Sequence, residues 1–363
     1  MASGAANVGQ VFAPGLSMLW ERVDAARALT ERFGFADLPA MSRWLTDVLR
    51  RHWSLQLRQV ERIMLSAHNA IAWAHTDQGT VVVKACADAA SFDRLALIAD
   101  VVAHLGEVGL PVAAPRPARD GSTRVVLQRP AAGGERHDGL HDGACPVAQG
   151  DAAPAAPGPH DQRLSVIVQP LVRGTLLDAG DLAGVRSAGV ALARLHTAVA
   201  DLPRAGHRVG EPDLHRRLHR AVAGPARHRV PHAAARLDAL LADLPALGTP
   251  TQLVHHDFRG TNVLMNGAEV SAVLDFDEMA LDHPVLDLAL ACTLLATRYT
   301  TWDPAPPAAR ESLVAGYRAV RPLSDLEERW LETLILGLSI AQVPDGRNPA
   351  GWKQAVQHLS AGL

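Results

Sequence analysis

Apolar positions recur at helical spacing near the start of the chain. Leu16, Leu19, Trp20, Val23 and Ala26 form one run, and Met41, Trp44, Leu45, Val48 and Leu49 form another after Pro39. This period predicts that residues 15–62 are helical. From Ile63 the texture changes. The segment IMLSAHNAIAWAHTDQGTVVVKA predicts two strands around the turn Thr76-Asp77-Gln78-Gly79, with Val81, Val82 and Val83 in the second. A helix is expected from an N-capping Ser91 to Leu105, with Leu95, Ile98, Val102 and Leu105 on one face, ending near Gly109 before Pro111. Further strands are predicted at 123–128 and 164–172. Between them, residues 129–163 are rich in Gly, Pro, Ala and Asp and lack an apolar period, which reads as an exposed insertion.

Beyond Gly174 the pattern is mostly helical, notably at 185–198 and 215–244. One short β-type island interrupts it, LVHHDFRGTNVLMNGAEVSAVLDF, where Leu253-Val254, Val263-Leu264-Met265 and Val270–Leu274 alternate with polar loops. A β-rich first half adjoining a helical second half is an α+β pattern and implies two lobes.

Composition narrows the classes. The chain of 363 residues is 48% hydrophobic and 20% charged, enough apolar material for a sizeable core, so wholesale disorder is excluded. A net charge of −3 argues against a nucleic-acid or anionic-membrane binder, so partners are expected to be small molecules. Cys86, Cys145 and Cys292 form neither a metal-ligand spacing nor a disulfide framework. The N-terminal stretch lacks a basic leader with an apolar core, and the longest apolar run, 284–297, contains Asp287, so a soluble cytoplasmic protein is expected. Of 35 basic side chains only Lys84 and Lys353 are lysines. Lysine is a compact point charge where arginine is a wide fork, which singles out Lys84 as a position that arginine cannot fill.

The polar island carries the candidate chemistry. His255-His256-Asp257-Phe258-Arg259-Gly260-Thr261-Asn262 forms a loop between short strands, and Asp275 ends the strand after it. The amide oxygen of Asn262 and the carboxylate of Asp275 are hard donors suited to Mg²⁺, which takes the rest of its shell from water and phosphates. Asp257, not needed as a ligand, is free to orient a substrate hydroxyl and accept its proton.

The loop resembles the kinase pattern H-x-D-x-x-x-x-N followed by a metal-binding aspartate. Four elements in order, Val254–Asp257, Gly260–Leu264, Val270–Asp277 and Asp282-His283-Pro284-Val285-Leu286-Asp287-Leu288-Ala289, resemble more specifically the aminoglycoside phosphotransferase family of small-molecule kinases. That resemblance implies a bilobal protein-kinase-like fold, with a small β-rich N-lobe over 63–170 interrupted by the 129–163 insertion, and a larger mainly helical C-lobe over 171–363. Residues 1–62 then form a helical extension. It also implies an ATP- or GTP-dependent transfer of the γ-phosphoryl group to a hydroxyl of a small molecule, an antibiotic or a metabolite. Asp257 is the catalytic residue in that scheme, and Asn262 and Asp275 hold Mg²⁺. Lys84, Ser66 in the phosphate-covering turn, and Gln169 and Leu171 in the hinge strand bind the nucleotide. Ala193-Arg194-Leu195-His196 matches a further helical element of the family.

Several departures accompany the likeness. His256 stands where the family often has glycine, and the turn 66–70 contains no glycine. Ile98 occupies the place of the helix glutamate that pairs with the lysine, leaving Asp93 and Asp100 as candidate substitutes. Two other readings stand beside the kinase. His256-Asp257 with Asp282 and His283 would suit a metal-dependent phosphohydrolase if the doublet lay on a helix. A nucleotide-binding relative with weak catalysis would account for the departures. The acids and bases after Thr301 nearly balance, which disfavours a polycationic acceptor.

Overall fold

The computed structural model describes residues 15–129, 163–210, 213–223, 225–248, 252–299 and 301–363. The interior of the 129–163 insertion, with its histidines and Cys145, lies outside the described residues. The chain forms two compact units, one from residues 13–93 and 116–168, the other from 94–115 and 169–363.

The first unit is built on a six-stranded sheet. Its elements are β1 (Gly15–Met18), α1 (Ala25–Phe33), α2 (Leu38–Trp53), β2 (Leu57–Leu65), β3 (Asn69–Thr76), β4 (Gly79–Cys86), β5 (Val125–Gln128) and β6 (Arg163–Pro170), in sheet order β1-β2-β3-β4-β6-β5. Both helices start on an aspartate cap: Asp24 accepts from the Arg27 N–H and Asp37 from the Ala40 N–H. Gly34, at φ 75°, ends α1 in the left-handed region.

Two expectations are corrected here. Residues 15–62 are not helical throughout, since β1 and most of β2 fall within them. The strand character of β2 was masked by Arg58, Gln59, Glu61 and Arg62, which leave no apolar period. Arg62 is nonetheless buried, its guanidinium 4.6 Å above the Trp73 ring. The two strands expected around the turn at 76–79 are three, because the chain reverses at Ser66-Ala67-His68 between β2 and β3. The helices are not an appendage either. Phe33, Phe35, Trp44, Leu45, Leu49 and Trp53 share one core with Ile63, Ala72, Val83 and Val166 of the sheet.

The second unit begins with α3 (Phe92–Glu107), whose following segment is tied inward by the Val273 N–H to the Pro111 carbonyl at 2.7 Å. It continues through β7 (Thr175–Leu176), α4 (Leu182–Val199), α5 (Leu214–Ala221), α6 (Pro225–Arg229) and α7 (Pro231–Ala242). The β island follows as β8 (Gln252–Val254), β9 (Val263–Asn266), β10 (Glu269–Val273) and β11 (Ala280–Asp282), paired in the orders β10-β9-β7 and β11-β8. The unit closes with α8 (Pro284–Leu294), α9 (Pro307–Arg318), α10 (Asp325–Ala341) and α11 (Trp352–Gly362).

Helices α4 and α9 approach so closely that a Cβ on Gly189 would collide with the Leu313 carbonyl, and one on Gly316 with the Arg186 carbonyl. This approach brings His196 of α4 against Tyr317 of α9. No helix among the described residues is long and apolar enough to cross a membrane.

Candidate active site

The loop between β8 and β9 is held by a carboxylate from a distant part of the chain. Asp287, in the first turn of α8 and fully buried, accepts the His255 N–H on Oδ2 and the His256 N–H on Oδ1, each at 2.8 Å. His196 Nε2 donates to the same Oδ2 at 3.0 Å. Burial alone would push this carboxyl upward, but the hydrogen bond from His196 holds it at about 2. Because Nε2 of His196 carries the proton, its Nδ1 accepts from the Tyr317 hydroxyl at 2.7 Å. Asp287 thus anchors the loop from the first turn of α8.

His255 works as an internal brace. Its Nδ1 accepts the Asp257 N–H at 3.2 Å, so Nε2 donates to the Leu274 carbonyl at 3.0 Å. The ring packs against Phe276 with centroids 4.6 Å apart. Burial lowers its pKa and keeps it neutral. His256 adopts φ 67°, the left-handed conformation that glycine would take without cost, and its Nε2 donates to Asp282 Oδ2 at 2.9 Å. The departure at this position therefore redirects a side chain onto a buried acid.

Asp257 is gripped from two sides. Asn262 Nδ2 donates to the Asp257 carbonyl at 2.9 Å and to Oδ2 at 2.7 Å, and Arg259 Nε faces Oδ1 at 3.1 Å. Burial raises the Asp257 carboxyl to about 6, with Arg259 and Asn262 opposing and the charges of Asp275 and Glu278 adding to the rise. With both amide hydrogens of Asn262 spent on Asp257, its side-chain oxygen remains as an acceptor.

The Asn262 carbonyl takes the Leu274 N–H at 2.8 Å, and Asp275 follows at φ 59°, exposed at the head of a short turn. An amide oxygen and an exposed carboxylate on adjoining turns form a hard-oxygen pair that fits Mg²⁺ sharing its shell with phosphates. Among the described residues no group of three or more His, Cys, Asp or Glu could hold a metal by itself. His256-Asp257 lies in a loop, not on the helix that the phosphohydrolase reading requires, and His256 is turned to Asp282.

The structure thus brings Asp257, Asn262 and Asp275 together. The expected nucleotide residues are divided between the two units. In the β-rich unit, Lys84 lies on β4 opposite Ile71, nine-tenths buried, and Ser66 lies in the β2–β3 turn. Ser66 Oγ accepts the Asn69 N–H at 3.2 Å, while Arg32 of α1 donates to the Ser66 carbonyl at 3.1 Å. In the helical unit, the Gln169 side chain donates to the Ala113 carbonyl at 2.5 Å, and Leu171 is exposed. Asp93 and Asp100 are both exposed.

Sequence reasoning missed Arg259, which also stacks 5.8 Å from the Trp302 ring, and Tyr299, whose phenol is pushed upward by burial and by Asp275. Neither carried a motif. Trp330 and Trp352 are core, and Trp302 is exposed.

Residues 59–328 match the family model described as the phosphotransferase enzyme family. A homoserine kinase from Mesorhizobium japonicum is 32% identical over 155 residues, 42% of this chain and 48% of that protein. One from Methylobacterium radiotolerans is 30% identical over 203 residues, 54% of this chain and 61% of that protein. The chain thus aligns with about half the length of these curated relatives. The solved structure of a microcompartment-associated aminopropanol kinase has the same fold: TM-score 0.55 at 18% identity, covering 88% of this chain and 94% of that one.

Proposed function

The chain belongs to the phosphotransferase enzyme family, and from that membership we propose that it transfers the γ-phosphoryl group of ATP or GTP to a hydroxyl of a small molecule. One observation carries the reading: a single amide, Asn262, orients the Asp257 carboxylate and keeps its own oxygen for a cation beside Asp275. Asp257 aligns the acceptor hydroxyl and takes its proton as the phosphorus–oxygen bond forms. Asn262 and Asp275 hold Mg²⁺, which when bound neutralises charge on the phosphate oxygens. Lys84 contacts the nucleotide phosphates, Ser66 covers them, and the backbone at Gln169 and Leu171 receives the base. Little covalent chemistry is asked of these groups; positioning and fixed dipoles supply the rate.

The buried His196–Asp287 pair supports a pre-organised loop, since it fixes the backbone on which Asp257 stands. The curated relatives are named for homoserine, which makes homoserine the first acceptor to assay. The test is acceptor-dependent release of ADP or GDP by the purified chain across hydroxylated metabolites and antibiotics. Release that is independent of every acceptor, or undiminished in Asp257→Asn, would refute the reading.

A further inference from the structure

A cleft of about 350 Å³ opens beside the loop, lined by Arg208, Val209, Gly210, Arg217, Arg220 and His256. Among the described residues, every ionisable side chain in that lining is a guanidinium or an imidazole. Its volume is in the range of small-molecule sites. One wall is His256, which precedes Asp257 in the same loop.

The basic groups are anchored. Asp282, wholly buried on β11, accepts Arg217 Nη1 at 2.6 Å and His256 Nε2 at 2.9 Å on Oδ2, and the His283 N–H at 2.8 Å on Oδ1. One carboxylate therefore fixes an arginine and a histidine side by side. It engages a single nitrogen of Arg217, leaving the rest of a five-donor fork for the cleft. Gly210 permits this approach, because a Cβ there would collide with Asp282 Oδ2. Arg208 is paired to Glu278 at 3.0 Å on the rim. Arg220 lies on α5 one turn from Arg217. A fixed guanidinium backed by a buried acid suits bidentate capture of a second, incoming carboxylate.

We infer that this cleft is the acceptor's anion subsite, and that the substrate is a small alcohol bearing a carboxylate held by Arg217 with Arg220. The inference rests on the phosphotransferase reading for the identity of the ligand as acceptor. It sets the chain apart from a kinase for polycationic antibiotics, which these arginines would repel.

Calorimetric titration tests it on the full-length Asp257→Asn variant in the presence of a non-hydrolysable ATP analogue. The probes are matched: L-homoserine against 3-aminopropan-1-ol, and 4-hydroxybutanoate against butane-1,4-diol, with glycerol 3-phosphate as the dianionic arm. The carboxylate member of each pair is expected to bind about tenfold or more tightly, the range of a charge-assisted hydrogen bond. Adding Arg217→Gln should abolish that preference with nucleotide affinity unchanged. Arg220→Gln, which leaves the Asp282 contacts intact, should weaken it several-fold and covers the case of a misfolded Arg217 variant.

Equal affinities within the pairs, no carboxylate-dependent binding, indifference to both substitutions, or a preference for glycerol 3-phosphate would each overturn the inference. If the preference holds while the wild-type chain shows no acceptor-dependent nucleotide release with any hydroxylated metabolite or antibiotic, the carboxylate subsite stands and the phosphotransferase reading falls.

Discussion

Asn262 gives both hydrogens of its side-chain amide to Asp257, one to the carbonyl at 2.9 Å and one to the carboxylate at 2.7 Å. The same side chain therefore aims the base and presents the remaining oxygen outward. Asp257→Asn is expected to reduce kcat by about 10²–10⁴-fold, the usual worth of a positioned acid–base group, with nucleotide affinity nearly unchanged. Asn262→Ala is expected to lower kcat and also to raise the Mg²⁺ concentration needed for half-maximal rate. Steady-state kinetics over a Mg²⁺ series separates the two.

Acid should inactivate the enzyme through Asp257. The carboxyl must be ionised to accept a proton, and burial raises its pKa to about 6, so kcat/KM is expected to fall as pH drops through that value. Arg259 lowers this pKa, so Arg259→Gln should move the inflection upward. The linked effect on stability has the opposite sense. A folded pKa above the unfolded value of about 3.9 means the group favours folding at low pH and opposes it increasingly as pH rises to 6. Asp257→Asn should therefore raise Tm more at pH 7.5 than at pH 4.5, which thermal melts will read.

Asp287→Asn removes an acceptor that serves two backbone N–H groups and His196. An amide offers one oxygen and sets an NH₂ against the remaining donors, so a loss of about 1–3 kcal/mol for each donor left unsatisfied is expected. With a folded pKa near 2, the contribution of Asp287 is complete above about pH 4 and disappears as pH falls through 2. Tyr317→Phe deletes the hydroxyl's hydrogen bond to His196 and its interaction with Arg321, and should cost about 1–2 kcal/mol. Urea unfolding of both variants gives the comparison.

Gly316→Ala places a methyl group against the Arg186 carbonyl in the α4–α9 contact. Overpacking of this kind costs about 1–3 kcal/mol and should also disturb the His196–Tyr317 pair. A lower Tm together with a lower kcat, at unchanged KM for the nucleotide, is the expected signature.

Much of this was legible in the order of residues. The β island, its loop and the α4 pattern are short-range features, and each appeared close to its expected limits. Asp257, Asn262 and Asp275 lie within 19 residues of one another, so motif spacing was sufficient to group them. What escaped was long-range or electrostatically disguised. Asp287 reaches back about thirty residues to the loop, and His256 finds Asp282, partners that no periodicity announces. The strand β2 was hidden because Arg62 is buried over Trp73 instead of facing water. The Ser66 hydroxyl also accepts the Asn69 N–H and so closes the turn it stands in, a contact that no motif announces. That local closure replaces the glycines the turn lacks.

The family likeness starts at residue 59, which invites trimming everything before it. Phe33, Phe35, Trp44 and Trp53 lie before that boundary and are sealed into the sheet's own interior. A chain cut back to Leu57 would carry a bare greasy underside and lose the Arg32 tether on the Ser66 carbonyl. Such a shortened protein should precipitate on expression.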